Sequence, residues 1–139
     1  MMNDKYTIFE TELAIRPDDI DMNNHVHNSK YLDYVLAARY DQMRKDYKVT
    51  MEDFLNRGFT WVVSKVEINY KRSLILTDKI IVRTQVDSFN RSQSIVNFEI
   101  VKKENGKVAA DGQFVYTMID IKSGRPAKIP EDYIEKYTI

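Results

Sequence analysis

The sequence contains no cysteine, which excludes disulfide bonds, thiolate metal sites and a cysteine nucleophile. It has only four glycines, and none belongs to a G-x-S-x-G elbow or a glycine-rich phosphate loop, so the P-loop and Rossmann classes are excluded as well. Basic and acidic residues balance at 21 each, so no global field attracts nucleic acid.

Long apolar runs are also missing. No stretch approaches the roughly 18 apolar residues of a membrane span, and the first residues lack the basic and apolar segments of an export signal. The absence of cysteine fits a reducing compartment, so we expect a soluble, cytoplasmic protein. The 139 residues, 43% of them hydrophobic, suffice for a single domain over 1–139 with a substantial core.

The apolar residues follow two different periods in the first third of the chain. Alternation over residues 6–16 predicts a half-buried strand. A helical stripe then predicts a helix of about four turns, capped by Asn28 or Ser29. The stripe comprises Tyr31, Tyr34, Val35, Ala38 and Gln42, and it is widened by Leu32, Leu36 and Met43.

The rest of the chain predicts one short helix and four more strands. Residues 51–56 favour the helix, which Gly58 ends. Val62, Val66, Ile68 and Tyr70 share one parity in the first of the four strand-like runs, and Asn105-Gly106 supplies a hairpin turn between the last two. Residues 121–139 are typical of a packed appendage with one short helix. The order predicts an α+β fold, in which five antiparallel strands wrap around one helix.

The stretch DDIDMNNHVHNSKY, residues 18–31, concentrates acids, amides and both histidines. Its acidic spacing resembles a calcium loop, but Asn24 replaces the required glycine and Lys30 the required glutamate. A zinc site starting from His25 and His27 would find no third histidine and no cysteine. A dedicated metal site is therefore disfavoured.

Asp21, Asn23 and His25 stand at alternate positions in this stretch. In a locally extended segment, such side chains point the same way and could converge on one small volume. A polar loop that merely caps the following helix would explain a single acid there. Spacing alone leaves both interpretations open.

The run from Asp19 to Tyr31, followed by Tyr34 and Arg39, resembles the D-x-D-x-N-x-H-V-N-N-x-x-Y motif of hotdog-fold thioesterases. The later VEINYKRSLILTDKIIVRTQV is similar to the second and third strands of that family. The resemblance implies a hotdog fold, in which a five- to six-stranded antiparallel sheet wraps a long central helix. It also implies hydrolysis of an acyl-CoA or acyl-ACP thioester to free acid and thiol, without any cofactor.

Carried over by position, Asp21 matches the catalytic acid of the family, Asn23 the polar residue beside it, and His25 the histidine of the motif. Asn24 stands where many members have glycine, a replacement that a left-handed conformation would accommodate. His27 stands where asparagine is usual. Ser73 stands where the acyl-ACP branch has a glutamate.

A thioester needs only a base for water and donors for the developing oxyanion. We expect Asp21 to act as general base or as nucleophile, with Asn23 and His25 orienting water or the carbonyl oxygen. Backbone N–H groups at residues 28–30 would stabilise the oxyanion. Loss of the base or of an oxyanion donor would be measurable, since general-base catalysis alone contributes roughly 10²–10⁴-fold to the rate.

The candidate substrate-binding residues fall into two groups. The first group lies at the start of the helix and comprises Asn28, Tyr31 and Tyr34. The helical stripe of Tyr31, Tyr34, Val35 and Ala38 borders an acyl tunnel or simply forms core. Lys71, Arg72 and Arg91 are candidates for the phosphates of CoA or phosphopantetheine.

The resemblance also implies a homodimer with the active site at the interface, arranged as a dimer or a tetramer. The main alternative function is a non-catalytic hotdog module that binds an acyl thioester or another apolar ligand, because a fold does not guarantee a reaction.

Overall fold

The alternating segments form one five-stranded antiparallel sheet, and the helical stripe forms the helix that lies on it. The computed structural model describes residues 3–46 and 49–137. The strands are β1 (Ile8–Ala14), β2 (Phe59–Tyr70), β3 (Lys79–Phe89), β4 (Gln93–Lys102) and β5 (Val108–Asp120). The helices are α1 (Asn28–Lys45), α2 (Met51–Asn56) and α3 (Glu131–Tyr137), with a short 3-10 turn at Pro17–Asp19.

The strand order is β1-β3-β4-β5-β2, so β1 and β2 form the two edges of the sheet. The buried stripe of α1 packs on the central strands, where Val35 and Ala38 share one core cluster with Phe98 and Phe114. All four side chains are almost completely buried. Because burying a phenylalanine contributes roughly 1.5–3 kcal/mol, this cluster ties α1 firmly to the sheet. Across the described ranges, no helix has the length and apolar character needed to cross a membrane.

Gln42 is the polar member of the predicted stripe, and it is fully buried. Its amide nitrogen donates to the Thr11 hydroxyl over 3.1 Å, while its amide oxygen accepts from the Thr84 hydroxyl. Both groups of the side chain are therefore satisfied, which removes most of the cost of burying an amide. The contact also links α1 to β1 and β3.

A β-bulge interrupts β2 between Val63 and Lys65. Before the bulge, Val63 is paired with inward-facing Tyr116, and after it Val66 is paired with inward-facing Phe114. The prediction that Val62 shares a face with Val66 is therefore wrong, because the extra residue reverses the parity. Trp61, Val63, Val66, Ile68 and Tyr70 share the face towards α1.

The N-cap of α1 is His27, not Asn28 or Ser29 as predicted. The His27 Nδ1 accepts from the Ser29 backbone N–H over 3.2 Å and lies 2.8 Å from the Ser29 hydroxyl. An imidazole nitrogen thus takes the place of the usual side-chain oxygen in satisfying a free amide of the first turn.

The short C-terminal helix predicted within residues 121–139 is α3. Its Tyr133 is buried in a cluster with Phe54, Met118 and Ile129, which come from α2, β5 and the segment before α3. The Phe54 and Tyr133 rings lie 4.2 Å apart. The C-terminal segment therefore contributes to the core at the end of α1 that is distant from the 18–31 stretch.

Candidate active site

The loop from residue 20 to residue 26 is a tight turn, not the extended segment that alternate spacing requires. Ile20 and Val26 pair as an isolated antiparallel bridge, and the Asp21 N–H donates to the His25 carbonyl over 2.7 Å. Asn24 has φ of 64°, a left-handed conformation that asparagine tolerates well. Asn24 therefore has the left-handed conformation that its replacement of glycine requires. The locally extended conformation considered for residues 21–25 is wrong.

The Asp21 carboxylate is fixed by the backbone of its own turn. Its Oδ1 accepts from the Asn23 N–H over 2.8 Å and from the His25 N–H over 3.2 Å. Within the ranges that the structure describes, no hydrogen bond or ion pair reaches Oδ2. One oxygen therefore orients the group, and the half-buried carboxylate keeps a second oxygen for another partner.

Asn23 and His25 approach Asp21 through their backbones rather than through their side chains. Both side chains are exposed, and neither bonds to a residue of the described chain. The catalytic roles expected for the amide and the imidazole therefore stay predictions. Among the described residues, no three metal-ligating side chains lie together as a candidate metal site.

Asp19 anchors the turn to α1, although sequence spacing does not single it out. Its carbonyl accepts from the His27 N–H over 2.9 Å, and its Oδ2 accepts from the Tyr34 hydroxyl over 2.7 Å. The Arg16 guanidinium lies 3.9 Å from the same oxygen. Burial, followed by the hydrogen bond to Asp19, raises the pKa of Tyr34 to about 12. Tyr34 thus serves the site by positioning the loop.

Tyr31 connects α1 to the segment after β2. Its hydroxyl accepts from the Leu74 N–H over 3.1 Å and donates to the Arg72 carbonyl over 3.4 Å, and burial raises its pKa. Its ring lies edge-on to Tyr70 at 5.1 Å, and the Tyr70 hydroxyl donates to the Asn28 carbonyl. Three predicted substrate-binding residues, Asn28, Tyr31 and Arg72, are thereby brought together.

Lys71 and Arg72 lie beside the start of β5. The Lys71 ammonium is 2.8 Å from the Asp111 carboxylate, and Arg72 Nη1 donates to the Val108 carbonyl over 2.7 Å. Both residues are exposed, so part of each cation still faces solvent. Because Arg72 also contacts Tyr31, the two cations lie at the same end of the sheet as α1's first turn.

Arg91 lies at the opposite end of the sheet. It stands in the turn between β3 and β4, where the neighbouring Ser92 accepts from Met118 near the end of β5. At a rise of about 3.3 Å per residue, the span from Val108 to Met118 is roughly 30 Å. A single chain therefore does not bring Arg91 to the other two cations.

A cavity of about 280 Å³ lies between the second half of α1, the start of β2 and α3. Neither Tyr31 nor Tyr34 lines it, and Val35 and Ala38 are core as well. Sequence reasoning missed the cavity because its wall comes from seven separate segments. Its lining is almost entirely apolar or aromatic: Leu36, Arg39, Tyr40, Met43, Met51, Trp61, Val63, Phe89, Ser94, Tyr116, Ile129, Tyr133 and Tyr137.

The sequence and the fold both have counterparts among known proteins. The chain matches the thioesterase-like superfamily over residues 15–136 and belongs to that superfamily. It is 27% identical over 127 residues to the long-chain acyl-CoA thioesterase FadM of Escherichia coli (strain K12), covering 91% of this chain and 95% of FadM.

Solved structures show the same fold. A DHNA-CoA thioesterase from Staphylococcus aureus superposes with a TM-score of 0.83 at 23% identity, over 93% of this chain and 87% of that one. Slr0204, a 1,4-dihydroxy-2-naphthoyl-CoA thioesterase from Synechocystis, gives 0.86 at 15% identity, over 94% and 95%. The hotdog α+β fold and the class of thioester hydrolase predicted from the sequence are thus confirmed.

Proposed function

We propose that this protein hydrolyses acyl-CoA thioesters, with the carboxylate of Asp21 activating the attacking water. The observation that carries the proposal is the geometry of that carboxylate, in which Oδ1 is held by two backbone N–H groups and Oδ2 has no partner in the described chain. A carboxylate fixed by its own turn can accept a proton without first reorganising.

The proposed reaction proceeds in two steps. Asp21 Oδ2 removes a proton from water while the water oxygen attacks the thioester carbonyl, which forms a tetrahedral oxyanion. The oxyanion collapses, the carbon–sulfur bond breaks, and the thiolate takes the proton back from Asp21. Attack by Asp21 itself would give a mixed anhydride that water then opens, and it releases the same products.

The start of α1 offers one suitable oxyanion donor. Of its first three amides, those of Ser29 and Lys30 already donate to the side chain and the carbonyl of His27. The Asn28 N–H donates to no residue that the structure describes. The expectation of several donors at residues 28–30 therefore narrows to Asn28, whose N–H also lies at the positive end of the helix dipole.

The position of the cations supports CoA as the head group. Lys71 and Arg72 lie at the same end of α1 as the Asp21 turn and remain exposed, where they can meet phosphate groups. FadM, which is 27% identical to this chain, is a long-chain acyl-CoA thioesterase. Arg91 belongs to the same CoA site only if a second chain supplies it.

The edge of β2 supports a homodimer. Among the strands that the structure describes, β2 pairs only with β5, and four of its apolar residues are exposed: Val62, Val63, Val66 and Tyr70. An unpaired strand edge with this much apolar surface favours pairing with a second copy. The outer face of the sheet carries a polar cluster, in which Asn97 hydrogen-bonds to Asp87 and Gln113. We therefore propose a dimer rather than a tetramer stacked through this face. We place the dimer in the cytoplasm because the chain lacks cysteine.

The test compares Asp21→Asn with the native protein by release of free thiol from a panel of acyl-CoA and acyl-ACP substrates. We expect kcat to fall at least tenfold, with an unchanged melting temperature, because general-base catalysis is lost. Asp18→Asn is the matched control, since Asp18 is an exposed acid of the same stretch that pairs with Arg16. Undiminished turnover in Asp21→Asn would refute the mechanism, and acyl-CoA binding without thiol release by the native protein would favour the non-catalytic alternative.

A further inference from the structure

An exposed apolar path leads from the start of α1 to the cavity. On α1, Leu32, Leu36 and Tyr40 follow one another at i, i+4 spacing and so lie on one side of the helix. On β2, Tyr70, Val66 and Val63 share the face towards α1. Tyr70 hydrogen-bonds to Asn28 at one end of this path, while Leu36, Tyr40 and Val63 line the cavity at the other.

The length of the path can be worked out from the helix. Leu36 lies about 12 Å and Met43 about 22 Å beyond Asn28 along the axis, at 1.5 Å per residue. A short or single-ring acyl group whose carbonyl is held near Asp21 would not reach the cavity. A long, extended alkyl chain would fill both the path and the cavity.

The C-terminal helix forms the wall of the cavity that is farthest from Asp21. Tyr133 and Tyr137 both line the cavity, and each belongs to a cluster that Met43 also contacts. Leu36, at the near end, belongs to neither cluster. An alkyl chain that enters along α1 therefore meets α3 last.

This wall is held firmly in place. The Tyr133 ring lies 4.2 Å from the Phe54 ring and 4.7 Å from the Arg57 guanidinium. Arg57 in turn pairs with Asp132 over 2.9 Å, and the Tyr137 carbonyl accepts from the N–H of Thr7. Tyr133 is thus a fixed obstacle and not a side chain that an acyl group can easily displace.

We propose that the protein prefers long, unbranched acyl chains and that α3 limits their length, with Tyr133 as the residue that determines specificity. The proposal rests on the proposed thioesterase function and assigns its substrate class. A smaller side chain at position 133 would lengthen the compartment, and a larger one would shorten it.

The experiment measures kcat/KM over a series of saturated acyl-CoA substrates from butyryl to stearoyl, together with benzoyl-CoA, for the native protein, Tyr133→Ala and Tyr133→Trp. We expect the native protein to favour long chains over butyryl- and benzoyl-CoA. Tyr133→Ala should move the preferred length upward and Tyr133→Trp downward, changing the ratio of longest to shortest substrate by roughly tenfold or more in opposite directions, since methylenes in an apolar pocket have effects of this size.

Met118→Ala is the matched control, because Met118 belongs to the same cluster but does not line the cavity. It should lower the melting temperature without moving the length profile. A profile that shifts in neither Tyr133 variant, or shifts equally in Met118→Ala, overturns the proposal while thioester hydrolysis stands. Absence of hydrolysis for every substrate would overturn the proposed function and this inference together.

Discussion

Replacing Tyr34 with phenylalanine deletes one hydroxyl from the network that anchors the Asp21 turn. That hydroxyl donates to the buried Asp19 carboxylate over 2.7 Å and accepts from the Arg16 N–H over 3.4 Å. In the variant, the nearest cation to the carboxylate would still be Arg16, at 3.9 Å. The substitution changes no volume in the core, so its effect reports on the hydrogen bonds.

The size of the effect follows from the lost hydrogen bond to Asp19. A hydrogen bond to a charged group contributes about 1.5–3 kcal/mol. We therefore expect Tyr34→Phe to lower the free energy of unfolding by about 1.5–3 kcal/mol at neutral pH, and the melting temperature by roughly 5 °C or more.

The same network predicts a dependence on pH. Because the pKa of Tyr34 is raised in the folded protein, the neutral phenol is the stabilised form, so its contribution is complete below about pH 10, the value for an unfolded chain. It is lost as the pH rises from about 10 to about 12. The difference in stability between native protein and variant should shrink over that window.

Urea denaturation of both proteins, from neutral pH to about pH 12, measures this difference directly. Tyr40→Phe is the matched control, since Tyr40 is an exposed tyrosine of the same helix. A Tyr34→Phe variant within about 0.5 kcal/mol of the native protein, the range of ordinary surface substitutions, would refute the reasoning. So would a difference that does not change with pH.

Three further predictions concern the N-cap of α1, the close contact between β5 and β2, and the exposed edge of β2. His27→Ala should cost about 1 kcal/mol of unfolding free energy, while His27→Asn should restore it because asparagine is a good N-cap, and equal losses in thermal denaturation would contradict this. Gly112→Ala would place its Cβ 1.9 Å from a β2 carbonyl oxygen. It should therefore destabilise the protein by more than about 3 kcal/mol, and a native melting temperature would show that β2 can shift. Val66→Glu puts a charge on the exposed β2 edge and should give a folded monomer in analytical ultracentrifugation, whereas a native protein that is already monomeric would refute the dimer.

Periodicity predicted most of the fold because burial on one face leaves a direct record in the sequence. The predicted stripe of α1 does pack on the predicted strands, and one core cluster contains Val35 and Ala38 from the helix and Phe98 and Phe114 from the sheet. The bulge in β2 left no such record, since Val62 and Val66 show an unbroken parity that one extra residue reverses. The cap was also missed, because His27 is an uncommon residue at that position.

The candidate site was predictable only in part. Asp21 was identified through its motif, and the structure places it in a turn whose amides orient its carboxylate. Alternate spacing did not reveal that Asn24 turns the chain back on itself, so that Asn23 and His25 reach the Asp21 carboxylate through their backbone N–H groups. Asp19 and the cavity depend on contacts between distant segments, such as α1 with α3, and no local pattern encodes these.

The irregularity at Ser64 has a consequence for assembly. β2 is a 12-residue edge strand that contains three valines. A perfectly regular edge strand of this kind would favour the repeated addition of further chains. Because a bulge bends its strand, we expect an incoming strand to match only one half of β2 at a time. We therefore expect the extra residue, Ser64, to limit assembly through the exposed edge of β2 to a finite complex instead of a fibre.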